Sequence, residues 1–317
     1  MQLWLVSSVM KVVMYHYVRE YQNSHPHFRF LDINNFRKQL DFFEAQFGFV
    51  EKEEWLEFTQ TGTMPKKNSK VVLTFDDSLC CHYHYVFPEL VKRKQWGIFY
   101  VPTLPYCNGK ILDVHRIHLL SGAFDGKKLL EVSLQLIHSD MIPGTKNEEF
   151  KNESYRWQNN YNQGVEFKRL LNYFVDYKNR EAVIDAIAEK LDYQFTSNDY
   201  YASIDQLQEM KRSGMIIGSH GNSHRLMSKL NFDEQVREIE LSFAILDQFD
   251  LIDVKNYCHP YGRPFSYNQN TVRILNQFNV VYSFDLNYRD IVASDFVSSM
   301  QTLPRYDCNF FEHGKVS

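Results

Sequence analysis

Residues 71–78 read Val-Val-Leu-Thr-Phe-Asp-Asp-Ser, an apolar run that stops at two adjacent carboxylates, Asp76 and Asp77. An unbroken apolar run of this length, bounded by polar residues, reads as a strand buried on both faces, and successive residues at its end point to opposite sides. One aspartate can then face a metal ion while its neighbour faces water or substrate. Taken alone, the stretch reads equally well as a strand end followed by an Asp-rich turn, so its meaning depends on what surrounds it.

Upstream, Val12–Val18 is apolar and carries His16 near its end. The stretch NNFRKQLDFFEAQFG that follows places Phe36, Leu40 and Phe43 on one helical face, with Gly48 just past the end as a stop signal. Downstream, after His82 and His84, the apolar run Trp96–Val101 reads as another strand. Strand, helix, strand, helix, strand is the pattern of a parallel sheet.

The alternation lapses between about Leu104 and Tyr200. Helical spacings recur there, as in Leu129, Leu130, Leu134 and Ile137, or Phe167, Leu170, Leu171 and Phe174, but no long strand does. These spacings predict a helical insertion, either a lid or substrate wall over the core or an addition without contact to the site. Alternation resumes at Ser203, whose SIDQ sequence offers a capping box, and the strand Met215–Gly218 leads into SHGNSHRL. His220 and His224 are four apart, which on a helical turn would put both imidazoles on one side. Asn231 and Glu234 open another helix, and the strand Val254–Cys258 ends in HPYGRP, where Pro260 and Gly262 predict a defined turn able to aim the Tyr261 N–H at a reacting oxygen. A helix at Val272–Phe278, a strand at Val280–Leu286 and the segment LPRYD complete the pattern.

Composition narrows the chemistry. The 317 residues suffice for one large α/β domain with an insertion, and 44% hydrophobic with 23% charged residues is a globular composition. Lys and Arg total 35 against 39 Asp and Glu, for a net charge of −4, which gives no reason to expect nucleic acid or an anionic membrane as partner. Five cysteines without a C-x-x-C pair suit neither a disulfide framework nor a thiolate zinc site, and fit a reducing compartment. The apolar opening MQLWLVSSVMKVVMYHY lacks a basic leader and is interrupted by Lys11, so residues 1–9 read as an upstream extension or a misassigned start leading into the first strand, with no membrane span. These features together predict a cytoplasmic protein.

Three strands thus end in three polar stretches. If their ends meet, Asp77, His220 and His224 supply one carboxylate and two imidazoles, three ligands that leave a divalent metal open positions for water and substrate, with Asp76 as general base.

On these residues the chain resembles the polysaccharide deacetylases of the NodB-homology type, carbohydrate esterase family 4. TFDD, SHGNSH and the strand-plus-PYG turn are similar to the family's first three motifs, in order, and the likeness covers residues 11–103 and about 203–306. It implies a distorted (β/α)7–8 barrel in two parts, 10–103 and 201–308, interrupted by the insertion 104–200 and followed by a tail, 309–317. It also implies hydrolytic removal of an N-acetyl group from an amino sugar in a glycan or glycan precursor, with zinc on Asp77, His220 and His224, Asp76 as base, the Tyr261 N–H stabilising the oxyanion, and Arg305 of LPRYD orienting Asp76. The rival readings are an N-deformylase or O-deacetylase of the same fold, or a catalytically silent glycan-binding relative.

The sequence departs from the family pattern in four places. No Leu-x-His triplet follows Tyr261, and His313 in the tail is the only late histidine, which leaves the general acid unassigned. Cys258-His259 stands where an arginine commonly precedes the prolines, Ser78 replaces the usual glycine after the aspartates, and Gly221 a hydroxyl residue. Away from the motifs, His16 reads as a core or supporting histidine, His82 and His84 as surface or packing residues, and His115 and His118 as a solvated helix face.

Overall fold

In the computed structural model of the chain, the described residues are 8–66, 70–146, 162–196 and 200–316. They form two compact units, one of residues up to Glu20, Phe30–Gly109 and Asn198–Ser317, the other of Tyr21–Arg29 and Lys110–Ser197.

The first unit is built on nine strands: β1 (Met10–Tyr15), β2 (Val18–Arg19), β3 (Leu31–Asp32), β4 (Lys70–Phe75), β5 (Ile98–Val101), β6 (Ile216–Ser219), β7 (Asn256–Cys258), β8 (Tyr282–Phe284) and β9 (Tyr306–Asp307). Seven make one sheet in the order β8-β7-β6-β5-β4-β1-β9, every pairing parallel. Parallel neighbours need crossovers, which the helices α1 (Ile33–Gln46), α2 (Lys52–Thr61) and α3 (Phe87–Lys92) supply on one side of the insertion. A parallel bridge between Phe284 and Leu303 brings the approach to β9 against β8, so the sheet curls into the distorted barrel that the sequence implied. The interior strand β4 is buried at all six positions. That is why residues 71–75 read as an unbroken apolar run rather than an alternating one.

Side chains alternate between two cores. Val12, Val72, Ile98, Tyr100, Cys258, Tyr282 and Phe284 gather in one, and Val13, Tyr15, Val71, Leu73, Phe75 and Phe99 pack with Phe36, Leu40 and Phe43 of α1 in the other. The histidine and carboxylate loops described below leave the sheet at the carboxyl ends of β1, β4 and β6, the end where α/β barrels collect their chemistry.

One difference from the sequence reading has a local cause. The first strand stops at Tyr15 rather than running to Val18, because the chain peels off at His16 to pair Val18–Arg19 with Leu31–Asp32. The tail is tied down: Gln39 Nε2 of α1 donates to the carbonyls of Cys308 (3.1 Å) and Glu312 (3.0 Å). The capping boxes at Ser203/Gln206 and Asn231/Glu234 form as the sequence predicts and open the helices Ile204–Arg212 and Phe232–Gln248.

The second unit is helical. Its helices include Asp113–Ala123, Gly126–Leu136, Gln163–Arg169 and Tyr177–Lys190, and they bury Ile117, Leu120, Leu129, Leu130, Phe167, Leu170, Leu171, Phe174, Val183, Ile184 and Ile187 in a core of their own. The helix carrying His115 is buried almost all round, so His115 is fully buried rather than on a solvated face. Residues 147–161 of the insertion lie outside the described residues, as do residues 1–7 of the extension read at the start of the sequence. All five cysteines are free thiols. Among the described residues no helix is long and apolar enough to cross a membrane.

Candidate metal and catalytic site

At the carboxyl end of β4 the two carboxylates part as strand geometry dictates. Asp76 continues the sheet, its N–H bonded to the Tyr15 carbonyl at 2.9 Å. Asp77 turns away with φ +82°, followed by Ser78 at +52°. Both carboxylates are buried, 2% exposed each.

Asp77 meets the imidazoles. Its Oδ1 lies 3.6 Å from His220 Nε2 and 3.4 Å from His224 Nε2, and its Oδ2 lies 3.8 Å from His16 Nε2. The loop that brings the two histidines together is not the helical turn expected from their spacing. Gly221 (φ +73°) and His224 (φ +54°) take left-handed conformations, so the chain doubles back and sets the rings 4.7 Å apart. His220 Nδ1 contacts the Cys258 carbonyl at 2.9 Å. A carbonyl can only accept, so Nδ1 carries the proton and the Nε2 lone pair faces Asp77. Burial lowers the His220 pKa, against the raising pull of Asp76 and Asp77, and favours the neutral imidazole that a metal needs.

Asp76 meets Arg305. The guanidinium forks onto the carboxylate, Nη1 to Oδ1 and Nη2 to Oδ2, both at 2.8 Å. Nη1 also reaches Thr74 Oγ1 (3.0 Å), Nε the Asp285 carbonyl (3.3 Å) and Nη2 the Cys258 sulfur (2.9 Å). Burial alone would raise the Asp76 pKa, but the charges of Arg305 and His220 and the Arg305 hydrogen bonds outweigh it and bring it to about 2.

Two groups of side chains here have metal-binding spacing, Asp77/His220/His224 and Asp76/His220/Cys258. The second fails on chemistry. Both Asp76 oxygens are engaged by Arg305, and burial holds the Cys258 thiol well above its usual pKa, so it keeps its proton. The first group fits a divalent ion: one carboxylate and two imidazoles whose donor atoms lie within 4.8 Å of one another, one imidazole held in the right tautomer from behind.

Tyr261 sits on the turn after β7, closed by Gly262 N–H on the His259 carbonyl at 3.0 Å, and has φ +64°. Its ring lies 5.0 Å from that of His224. Asp76, Asp77, His220, His224, Tyr261 and Arg305, from four separate stretches, therefore share one neighbourhood. Two histidines read from the sequence as supporting or packing residues stand beside these groups. His16 reaches Asp77, and His82 is buried, its Nε2 donating to the His16 carbonyl at 2.6 Å.

Comparison with known proteins finds one family match and several similar solved structures. A family profile described as polysaccharide deacetylase matches residues 176–283, the stretch with His220, His224 and the Tyr261 turn but without Asp76, Asp77 or Arg305. No curated protein matches the chain. Among solved structures, the Streptococcus pyogenes deacetylase PplD, in complex with acetate, aligns with TM-score 0.59 at 17% identity over 95% of this chain and 93% of that one. IcaB from Ammonifex degensii gives 0.55 at 16% identity, covering 94% and 91%. A de-N-acetylase from Aggregatibacter actinomycetemcomitans gives 0.53 at 14%, covering 94% of each. Residues 176–283 thus match the polysaccharide deacetylase family, and the fold of the whole chain is similar to that of solved deacetylases with a NodB-type α/β architecture.

Proposed function

We propose that the protein is a metal-dependent hydrolase that removes the N-acetyl group from an amino sugar in a glycan or glycan precursor. The observation that carries this reading is the separation of two adjacent carboxylates into different roles: Asp77 against two imidazoles, Asp76 in the fork of Arg305. Asp77, His220 and His224 would hold the ion, and zinc suits one oxygen and two nitrogen donors. Such an ion would supply Lewis acidity, polarising the acyl carbonyl and making water more acidic.

Arg305 keeps Asp76 ionised and fixes its plane, so the carboxylate is ready to take a proton from the attacking water, though its low pKa limits how long it holds one. The backbone at Tyr261 borders the same space and is the candidate donor to the oxyanion. When the C–N bond breaks, the acetyl carbon leaves as acetate and the amine needs a proton. His16 supports that role: its side chain is 36% exposed while Nε2 stays 3.8 Å from Asp77, and His82 holds its backbone from behind. The acid that the missing Leu-x-His triplet left unassigned would thus come from the first strand.

The test is acetate release from N-acetylated amino sugars, sugar nucleotides and oligosaccharides, with formate and O-acetyl substrates alongside. Acetate from an N-acetyl substrate, lost in Asp76→Asn, supports the reading. Formate or O-acetyl turnover alone would transfer the protein to a different acyl chemistry.

A further inference from the structure

Asp77 and Ser78 are consecutive non-glycine residues with positive φ, buried at 2% and 1% exposure. L-residues disfavour this region, and such a pair persists only where its surroundings over-determine it. The backbone beyond is clamped by the segment 200–202, with the Ala202 N–H on the Ser78 carbonyl (2.9 Å) and the Cys80 N–H on the Tyr200 carbonyl (2.9 Å). The side chain of Ser78 is clamped from elsewhere. Tyr106 OH donates to the Ala202 carbonyl at 2.8 Å and lies 2.7 Å from Ser78 Oγ. With its own proton spent on Ala202, the tyrosine oxygen accepts, so the Ser78 hydroxyl donates.

Tyr106 stands on the short helix Leu104–Asn108 after β5. The start of that helix holds the other half of the site. Thr103 N–H donates to the Gly221 carbonyl (3.2 Å), Leu104 N–H to the Asn222 carbonyl (2.9 Å), and Thr103 Oγ1 to Asn222 Oδ1 (3.1 Å). Gly221 and Asn222 lie between His220 and His224. One four-residue segment, Thr103–Tyr106, therefore grips the carboxylate loop at one end and the histidine loop at the other.

We infer that Thr103–Tyr106 is a bracket that sets the spacing between Asp77 and the two imidazoles, with Tyr106, acting through Ser78, as a positioning residue for metal binding. The inference rests on the metal reading above. It also accounts for the serine: where a glycine would adopt the left-handed turn freely, Ser78 adopts it because Tyr106 engages its hydroxyl. Groups that hold a ligand in place typically change metal affinity about 10–100-fold when removed.

The test titrates metal-free protein with zinc, and with cobalt as a spectroscopic probe, in a cycle of Tyr106→Phe, Ser78→Gly and the double variant. Thr103→Val, which leaves Tyr106 intact, serves as a second probe, and urea midpoints of the metal-free proteins report folding. Tyr106→Phe is expected to weaken binding about tenfold in the native background and less than twofold beside Ser78→Gly, and Thr103→Val to weaken it in the same direction. Unchanged affinity in Tyr106→Phe, or an equal loss in both backgrounds, overturns the bracket while leaving the metal site standing. A native protein that binds neither ion overturns the metal reading and the bracket with it.

Discussion

Arg305 and Asp76 are 229 residues apart in sequence and joined by two hydrogen bonds of 2.8 Å, both side chains buried. A buried pair of this kind adds little net stability over an apolar pair, yet removing one partner leaves the other as an uncompensated buried charge. Arg305→Gln is accordingly expected to destabilise the fold by about 3–5 kcal/mol in urea unfolding and to abolish turnover. Adding Asp76→Asn should recover much of the stability and none of the activity. A single variant as stable as the native chain would mean that the fork does not neutralise Asp76.

His16→Gln separates catalysis from binding. If His16 protonates the leaving amine, kcat falls about 10²–10⁴-fold while zinc affinity changes little. A loss of affinity as large as that of His224→Gln would instead make His16 a ligand.

Asp285 gives a pH signature independent of the metal. Its carboxyl is pushed up to about 6 by burial, against the lowering hydrogen bond from Tyr267 OH (2.9 Å) and the charges of Arg305 and Arg289. Because the folded state holds this proton more tightly than the unfolded chain, the contribution is complete below about pH 4 and is lost as pH rises through about 6. Between those limits the native protein should lose up to about 3 kcal/mol relative to Asp285→Asn. Parallel stability curves for the two proteins from pH 4 to 7 would contradict the assignment.

Gly218 sits in β6, two residues before His220, where an added Cβ would run into the amide oxygen of Asn256 and come within 2.6 Å of the Tyr100 ring. Gly218→Ala should cost about 1–3 kcal/mol by overpacking and weaken zinc binding as well, since the displaced strand carries His220. Thermal unfolding and zinc titration of the variant check both parts.

Much of the barrel was legible because its strands are buried on both faces. Residues 71–75 and 96–101 announce themselves as apolar runs, and TFDD, SHGNSH and HPYGRP each lie at a strand end. The pairing of Asp77 with His220 and His224 was legible through its chemistry, not through the geometry assumed for it. Four-residue spacing suggested a helical turn, whereas two left-handed residues in an irregular loop do the work. His82 is the packing residue that it was read as, whereas His115 was misplaced, because burial of a histidine depends on what packs over it and no local periodicity records that. The Thr103–Tyr106 bracket was invisible because hydrogen bonds between Tyr106, Ser78 and Ala202 join residues far apart in sequence.

The most direct test of the central claim is zinc stoichiometry measured together with acetate release for the native chain, Asp76→Asn and Asp77→Asn. The account predicts one ion per chain and turnover in the native protein, one ion without turnover in Asp76→Asn, and neither in Asp77→Asn. An Asp77→Asn protein that binds zinc as tightly as the native chain, or a native chain that releases acetate equally well after the metal has been stripped, would contradict it.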